Sequence, residues 1–336
     1  MRKDEIMHHT NWRGTPYEAG VAFGKALRQA QAELPRLWRL CEEKYALGQA
    51  SMRLCQTLWP ALSEEVEGIA EGAGLRTMDV TAFLFSIYCF PVAPHCSCFA
   101  LRDGNRVLLA RNSDFLKSIA PAYDSPFYQL DGAIPFLGST TSFTQIEDGV
   151  NRHGLAAGLT MVYPQEIQPG LNAGLLVRYV LEHCQTVKEA LAALAQLPVS
   201  SAQTIVLADA HGDLAAVECN CCAMHVQRPQ GTRAFVARVN LFTSDILRPF
   251  DRPDVPNLQA ARRQDTLCRV LPTAPCTVEY AQEVLAGSHG FLCQPADPCL
   301  PFATVWSSVY DLAAGHVYRA EGDPAQVPFL PDDRLV

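Results

Sequence analysis

Residues 94–115, PHCSCFALRDGNRVLLARNSDF, constrain this chain more than any other stretch. CSCFAL and RVLLARN are apolar runs of strand length, and Asp103-Gly104 between them is a strong signal for a two-residue hairpin turn. Such a turn sets Cys96 directly opposite Arg111 and Cys98 opposite Leu109, with facing Cβ atoms about 4.5–5.5 Å apart. A guanidinium at that range favours thiolate over thiol, the form in which cysteine attacks a carbonyl. Asp114 follows three residues on, placed to orient an amine or the arginine. One hairpin therefore supplies a nucleophile, an activating charge and a carboxylate, and Asn112 between them reads as structural.

The rest of the chain is long enough to surround that hairpin with a large core: 336 residues, 49% hydrophobic. A net charge of −8 with no block of Lys or Arg speaks against nucleic acid and anionic membrane surfaces as partners. The longest apolar run, AFLFSIYCFPVAP, is shorter than the roughly 18–20 residues of a membrane span. The opening MRKDEIMHHTNWRG lacks the apolar segment of a secretory signal. Thirteen cysteines at irregular spacings read as reduced thiols of a cytoplasmic protein rather than a disulfide framework.

Helical periodicity fills the first 90 residues: TPYEAGVAFGKAL with Thr15 as N-cap, a break at Pro35, ALSEEVEGIAEGAGL with Ser63 as cap and Gly72–Gly74 as its end, then MDVTAFLFSIYCF. From Cys96 the pattern turns extended. SFTQIEDGVNRHGLAAGLTMVYP predicts two strands around an Asn-Arg-His-Gly turn. Two helices follow (AGLLVRYVLEHC, TVKEALAALAQL), then four strands (AQTIVLADA, DLAAVECN, AMHVQRP, AFVARVNLF), a helical section near 257–287 and a closing hairpin, TVWSSVYDLAAGHVYRAEG. Strands that come in groups argue for an α+β protein with mostly antiparallel sheets covered by helices, not a doubly wound one. In the segment 115–145, Phe115, Tyr123, Phe127, Tyr128 and Phe136 suggest the lining of an apolar acyl or aromatic pocket.

A thiol nucleophile needs a proton acceptor, and the hairpin offers no histidine but His95, immediately before Cys96. Scission of the His95–Cys96 bond removes the difficulty, since an α-amino group with a pKa of about 7.7–8.0 is a serviceable base at neutral pH. Here the sequence resembles the N-terminal nucleophile hydrolases, specifically the acyl-CoA:6-aminopenicillanate acyltransferase family, with choloylglycine hydrolases more distant. NWRGTPYEAGVAFGKAL, EEVEGIAEGAGL, CSCFALRDGNRVLLARNSDF, DGVNRHGLAAGL, GDLAAVECN with ARVNLF, and TVWSSVYDLAAGHVYRAEGDP match family segments in the same order. The resemblance implies a four-layer αββα sandwich, self-cleavage before Cys96, and a division into a helical pro-segment, 1–95, packed on a catalytic core, 96–336. It also implies Cys96, Arg111, Asp114 and Asn240 as the catalytic set, Asn240 lining the oxyanion hole. The sequence departs from the family at His95, where glycine is common, at Cys98 in place of serine or threonine, and at Thr160, nearest to a position where the choloylglycine hydrolases carry asparagine.

These readings point to an amidohydrolase that cleaves a linear amide or N-acyl amine through a thioester, with no cofactor and a small amide or acyl compound as partner; a homodimer is left open. An acyltransferase passing the acyl group to an amine, and a cleavage-incompetent binding relative, are the alternatives. A zinc protein built on Cys219-Asn-Cys221-Cys222 is disfavoured because neighbouring strand residues point to opposite faces, so no metal is expected. Of the remaining cysteines, Cys41, Cys55, Cys89, Cys184, Cys268 and Cys276 read as packing, and Cys293 and Cys299 as free thiols of a Pro-rich loop.

Overall fold

The computed structural model describes residues 7–29, 38–90 and 95–335. The break expected at Pro35 lies outside the described residues. Fourteen strands build two sheets among the described residues. The first runs β1 (Asn11–Gly14), β4 (Phe127–Leu130), β5 (Phe136–Ser139), β6 (Asp148–Asn151), β7 (Leu155–Val162), β8 (Ala202–Asp209), β9 (Leu214–Cys219), β10 (Met224–Gln227). The second runs β11 (Arg233–Arg238), β2 (His95–Asp103), β3 (Arg106–Leu116), β12 (Phe302–Asp311), β13 (His316–Ala320), β14 (Leu330–Pro331). All pairings are antiparallel except β1 with β4.

Strand alternation divides the core into layers. Cys98, Ala100, Val107 and Leu109 meet Ala156, Val206, Ala208 and Ala216 between the two sheets. Residues one step along, Phe99, Leu101, Leu108 and Ala110, turn the other way and pack under helices α7 (Ala260–Val270) and α8 (Val278–Leu285). On the far side, Leu155, Ala157, Leu159, Ile205 and Leu207 pack with the helices of the N-terminal third and with α5 (Ala173–His183) and α6 (Val187–Leu194). Because both faces of the inner strands are covered, they read as continuous apolar runs. The result is the expected αββα sandwich. No helix among the described residues is long and apolar enough to cross a membrane.

The N-terminal third holds α1 (Pro16–Gln29), α2 (Glu42–Leu58), α3 (Pro60–Ala73) and α4 (Thr77–Ser86), the first two separated by residues outside the description. Thr15 and Glu18 cap α1 reciprocally, each bonding the other's backbone N–H. Ser63, expected as the cap of α3, sits inside that helix; Pro60 at its first turn starts it, and Gly74 ends it in the left-handed conformation at φ 69°. α1 and α3 cross at backbone contact: a Cβ on Gly20, Gly24, Gly68 or Gly72 would stand 2.2–2.3 Å from a carbonyl oxygen of the opposite helix. Gly68→Ala should therefore destabilise the protein by about 1–3 kcal/mol through overpacking, read as a lowered denaturant midpoint at unchanged slope.

Strands β1, β4, β5 and β14 carry no sequence expectation; each spans only two to four residues, too short for a period-2 pattern to show. The aromatic residues of segment 115–145 are core, not pocket: Phe115, Tyr123, Phe127, Tyr128 and Phe136 are all buried, and Tyr128 stacks on Phe136 with centroids 4.9 Å apart.

Candidate active site

The hairpin forms around Gly104-Asn105 rather than Asp103-Gly104. Asp103 pairs with Arg106, and Gly104 takes the positive φ, 58°, that a tight turn requires at its first central position. Cys96 consequently faces Ser113, and Arg111 faces Cys98, not Cys96. The shift is two residues, so Cys96 and Arg111 stay on the same face as diagonal neighbours. Arg111 bridges the diagonal, its Nη2 donating to Cys96 Sγ at 2.8 Å.

Arg111 is fully buried between the sheets and held on every side. Nε donates to the carbonyl of Leu159 (2.8 Å), Nη1 to Asp148 Oδ1 (2.8 Å) and Nη2 to Glu147 Oε2 (3.0 Å). Trp306 and Tyr310 hold Asp148 at 3.0 and 2.6 Å, while Ser113 and Thr141 hold Glu147. Gly158 makes room for the crossing side chain: a Cβ there would lie 2.6 Å from Cys98 Sγ and 3.2 Å from Arg111 Cδ.

The thiol does not rest as a thiolate in the continuous chain. Burial pushes Cys96 up to about 12 against the pull of Arg111, and the negative charge of Glu147 adds to the rise. The expectation that one guanidinium alone would favour the thiolate overlooks two facts: the sulfur is sealed from water, and two carboxylates share its arginine. Cys98, beside the same arginine, is raised as well, first by burial. The charge across from Cys98, absent in the expected register, thus does not activate it.

The backbone of Cys96 is gripped at both ends. Its N–H donates to Asn240 Oδ1 at 2.8 Å, and its carbonyl accepts from Arg263 Nη1 at 2.6 Å. Arg263 also donates to Ser97 Oγ (2.9 Å), Asn240 Oδ1 (2.9 Å) and the carbonyl of Asn257 (2.9 Å). Asn240 thus turns its carbonyl oxygen, not its amide, toward the backbone of Cys96; its Nδ2 donates to Met161 O at 2.8 Å. Thr160 holds Val239, the residue before Asn240, by donating to its carbonyl at 2.7 Å. That bond supports the asparagine from behind.

His95 and Asp114 are paired across the hairpin and lie on the opposite face from Cys96, toward α7 and α8, as does Asn112, which donates to Leu285 O at 2.9 Å. The hairpin therefore does not present Asp114 on the face that carries the Cys96 thiol. Asp114 Oδ1 accepts from Thr304 at 2.6 Å, Arg263 Nη1 stands 4.0 Å from Oδ2, and Oδ2 accepts no hydrogen bond among the described residues. A bulge between Thr304 and Trp306 opposite β3 lets these consecutive partners serve the two faces, Thr304 at Asp114 and Trp306 at Asp148. Burial raises Asp114 to about 6 and lowers His95 to about 3, the latter with Arg263 assisting.

The sign for Asp114 is that of a raised carboxyl: the stability it contributes is full below its ordinary value near 4 and is lost as pH rises through 6. A rise of that size corresponds to roughly 3 kcal/mol. In a chain kept continuous by Cys96→Ala, Asp114→Asn should become stabilising by up to that amount as pH is raised from about 4 to about 7.5. Equal effects of Asp114→Asn at the two pH values in urea melts would contradict this.

Arg263, Glu147 and Asp148 carry no sequence expectation, yet each left a trace. Ala260, Arg263, Thr266, Leu267 and Val270 form the buried stripe of α7, so a charge occupies an apolar position of an amphipathic helix. Glu147 and Asp148 are adjacent acids within an otherwise extended segment that ends buried.

Two antiparallel sheets between helical layers, with a gripped cysteine heading an inner strand, are the arrangement of the N-terminal nucleophile enzymes. The model of the acyl-coenzyme A:6-aminopenicillanic acid acyl-transferase family matches residues 101–326, and the chain belongs to that family. No curated protein matches the chain. Among solved structures, penicillin V acylase from Agrobacterium tumefaciens is 18% identical, with 67% of this chain and 82% of that one covered and a TM-score of 0.47. A mutant of conjugated bile acid hydrolase from Clostridium perfringens is 13% identical, with 71% of this chain and 93% of that one covered and a TM-score of 0.40.

Proposed function

We propose that this protein is a cysteine amidohydrolase of the N-terminal nucleophile type, matured by scission between His95 and Cys96 and acting on a linear amide or N-acyl amine. One observation carries the reading: three side chains converge on Cys96, Arg111 at its sulfur, Asn240 at its nitrogen and Arg263 at its carbonyl. A merely packed cysteine has no use for such a grip.

In maturation, Sγ attacks the carbonyl carbon of His95 and the C–N bond breaks, leaving a thioester on sulfur and a free α-amine on Cys96. Water then hydrolyses the thioester. The new ammonium forms within the grip of Asn240, and Asp114, whose Oδ2 accepts no hydrogen bond among the described residues, supplies an anion within electrostatic reach. Residues 1–95 would become a helical chain packed on the core of 96–336. Departure of the 95 end from the sulfur admits water, which relieves the burial that holds the thiol up and leaves Arg111 to favour the thiolate.

In turnover, the α-amine takes the thiol proton, sulfur adds to the substrate carbonyl, and the amine leaves with that proton. Water releases the acyl group from the thioester. The Nδ2 of Asn240, which donates to Met161, is the side-chain candidate for the oxyanion donor. Thirteen cysteines without a disulfide suit a reducing compartment such as the cytoplasm.

Intact mass spectrometry tests the proposal. The wild-type chain should separate into residues 1–95 and 96–336, whereas Cys96→Ala should stay whole, folded and devoid of amide hydrolysis. A wild-type chain that remains whole and leaves Cys96 unmodified by iodoacetamide would instead support a binding relative. The family's acyl-transfer description favours one second reading, in which an amine replaces water. Turnover that appears only when an amine is added would select it.

A further inference from the structure

The sequence reading set Cys221 and Cys222 on a strand, with side chains on opposite faces. The strand in fact ends at Cys219, whose buried thiol contacts Gln203 Nε2 at 2.9 Å, and the next residues form the turn to β10. Asn220 Oδ1 accepts from the N–H groups of Cys222 (2.9 Å) and Ala223 (2.8 Å). In that turn the two sulfurs lie on the same side, 3.8 Å apart. Glu166, in the segment after β7, meets them: its Oε2 is 3.2 Å from Cys222 Sγ, and its backbone carbonyl is 3.6 Å from Cys221 Sγ.

The sulfur–sulfur distance is that of a tetrahedral metal centre, and the carboxylate oxygen lies close enough to complete it with a small adjustment. Two thiolates about 2.3 Å from one zinc ion stand about 3.8 Å from each other, and a carboxylate oxygen about 2.0–2.2 Å from the ion stands about 3.5 Å from either sulfur. The three ligand atoms lie within 4.8 Å of one another, and the site is open to solvent. We propose that Glu166, Cys221 and Cys222 bind one borderline-soft divalent cation of the zinc type, with a fourth position left for water or an external ligand. Two thiolates exclude magnesium and calcium, which take oxygen. The ion would tie the segment after β7, which leads from Met161 at the back of Asn240, to the β9–β10 turn. Binding expels the thiol protons, so affinity rises with pH.

The full-length reduced protein is titrated with Zn²⁺ against a chromogenic chelator, and separately with Co²⁺. The expected result is one equivalent bound, with a thiolate-to-cobalt charge-transfer band in the near ultraviolet. Cys221→Ser/Cys222→Ser should lose the band and weaken zinc binding at least ~30-fold, while Glu166→Gln keeps the band and weakens binding about tenfold. Cys41→Ser/Cys299→Ser, which removes two exposed thiols elsewhere, should change neither. Unaltered thermal melts show that the variants are folded. The proposal is overturned if wild type binds no zinc at micromolar concentration, or if the double serine variant at the turn binds it as wild type does.

Discussion

Arg111→Met should be among the most damaging single substitutions in this protein, in stability and in chemistry together. Methionine fills a similar apolar volume but leaves Glu147 and Asp148, both fully buried, without their cation. Breaking a buried pair by removing one partner destabilises by about 3–5 kcal/mol, because the surviving charge has neither water nor counter-charge. Two acids share this arginine, which argues for the upper end of that range. The cause has a distinct signature, read as the loss of stability in urea melts. Adding Glu147→Gln should recover part of it. A double-mutant cycle near zero would mean that the carboxylate at 147 does not sense the guanidinium 3.0 Å away. The variant also loses the only side-chain donor within 2.8 Å of Cys96 Sγ among the described residues, and the acyl-enzyme formation proposed at that sulfur should drop by about 10²–10³, as for other lost electrostatic stabilisers.

How much of this centre can be read in the sequence depends on which physical rule places each residue. Cys96 and Arg111 belong to one hairpin, where strand periodicity decides the face. The turn expected at Asp103-Gly104 forms one residue later and shifts the pairing by two, an even number, so the shared face survives although the direct partner changes. Asp114 fails the same rule. Three residues from Arg111 is an odd step, which turns its carboxylate to the helical side, and alternation alone foretells that. Glu147 and Asp148 reach Arg111, and Arg263 reaches Cys96, through tertiary packing, which no local pattern encodes. What the sequence does show is their misfit: a charge in the apolar stripe of α7, two acids in a strand-like run. Buried charges demand partners, so each misfit indicates that an opposite charge waits elsewhere. The layers were legible for a simpler reason. Long apolar strands grouped together can bury both faces only as stacked sheets under helices, whereas β4 and β5 are too short to announce themselves.

Arg263→Ala should separate the grip on the nucleophile's backbone from the grip on its sulfur. The guanidinium is fully buried and donates to Cys96 O, Ser97 Oγ, Asn240 Oδ1 and the carbonyls of Asn257 and Leu258. Removing it strands these acceptors and leaves Asp114 without its cation, which together should lower stability by about 3–5 kcal/mol. Part of this should return when Asp114→Asn is added, since the pair stands 4.0 Å apart. The chemical consequence differs from that of Arg111→Met. Arg111 still contacts the sulfur, so the thiol keeps its charge stabilisation, but the carbonyl of Cys96 and the oxygen of Asn240 are no longer fixed. The proposed scission before Cys96 needs the sulfur aligned on the carbonyl of His95, and a misplacement of about 1 Å is enough to lose about 10²-fold. The folded Arg263→Ala protein should thus accumulate as the whole chain for many times the wild-type maturation period. Its pH dependence of cleavage should keep the wild-type shape while the rate falls at every pH. A displaced profile with an unchanged plateau would mean instead that Arg263 acts by tuning the thiol, and the division of labour between the two arginines would be wrong.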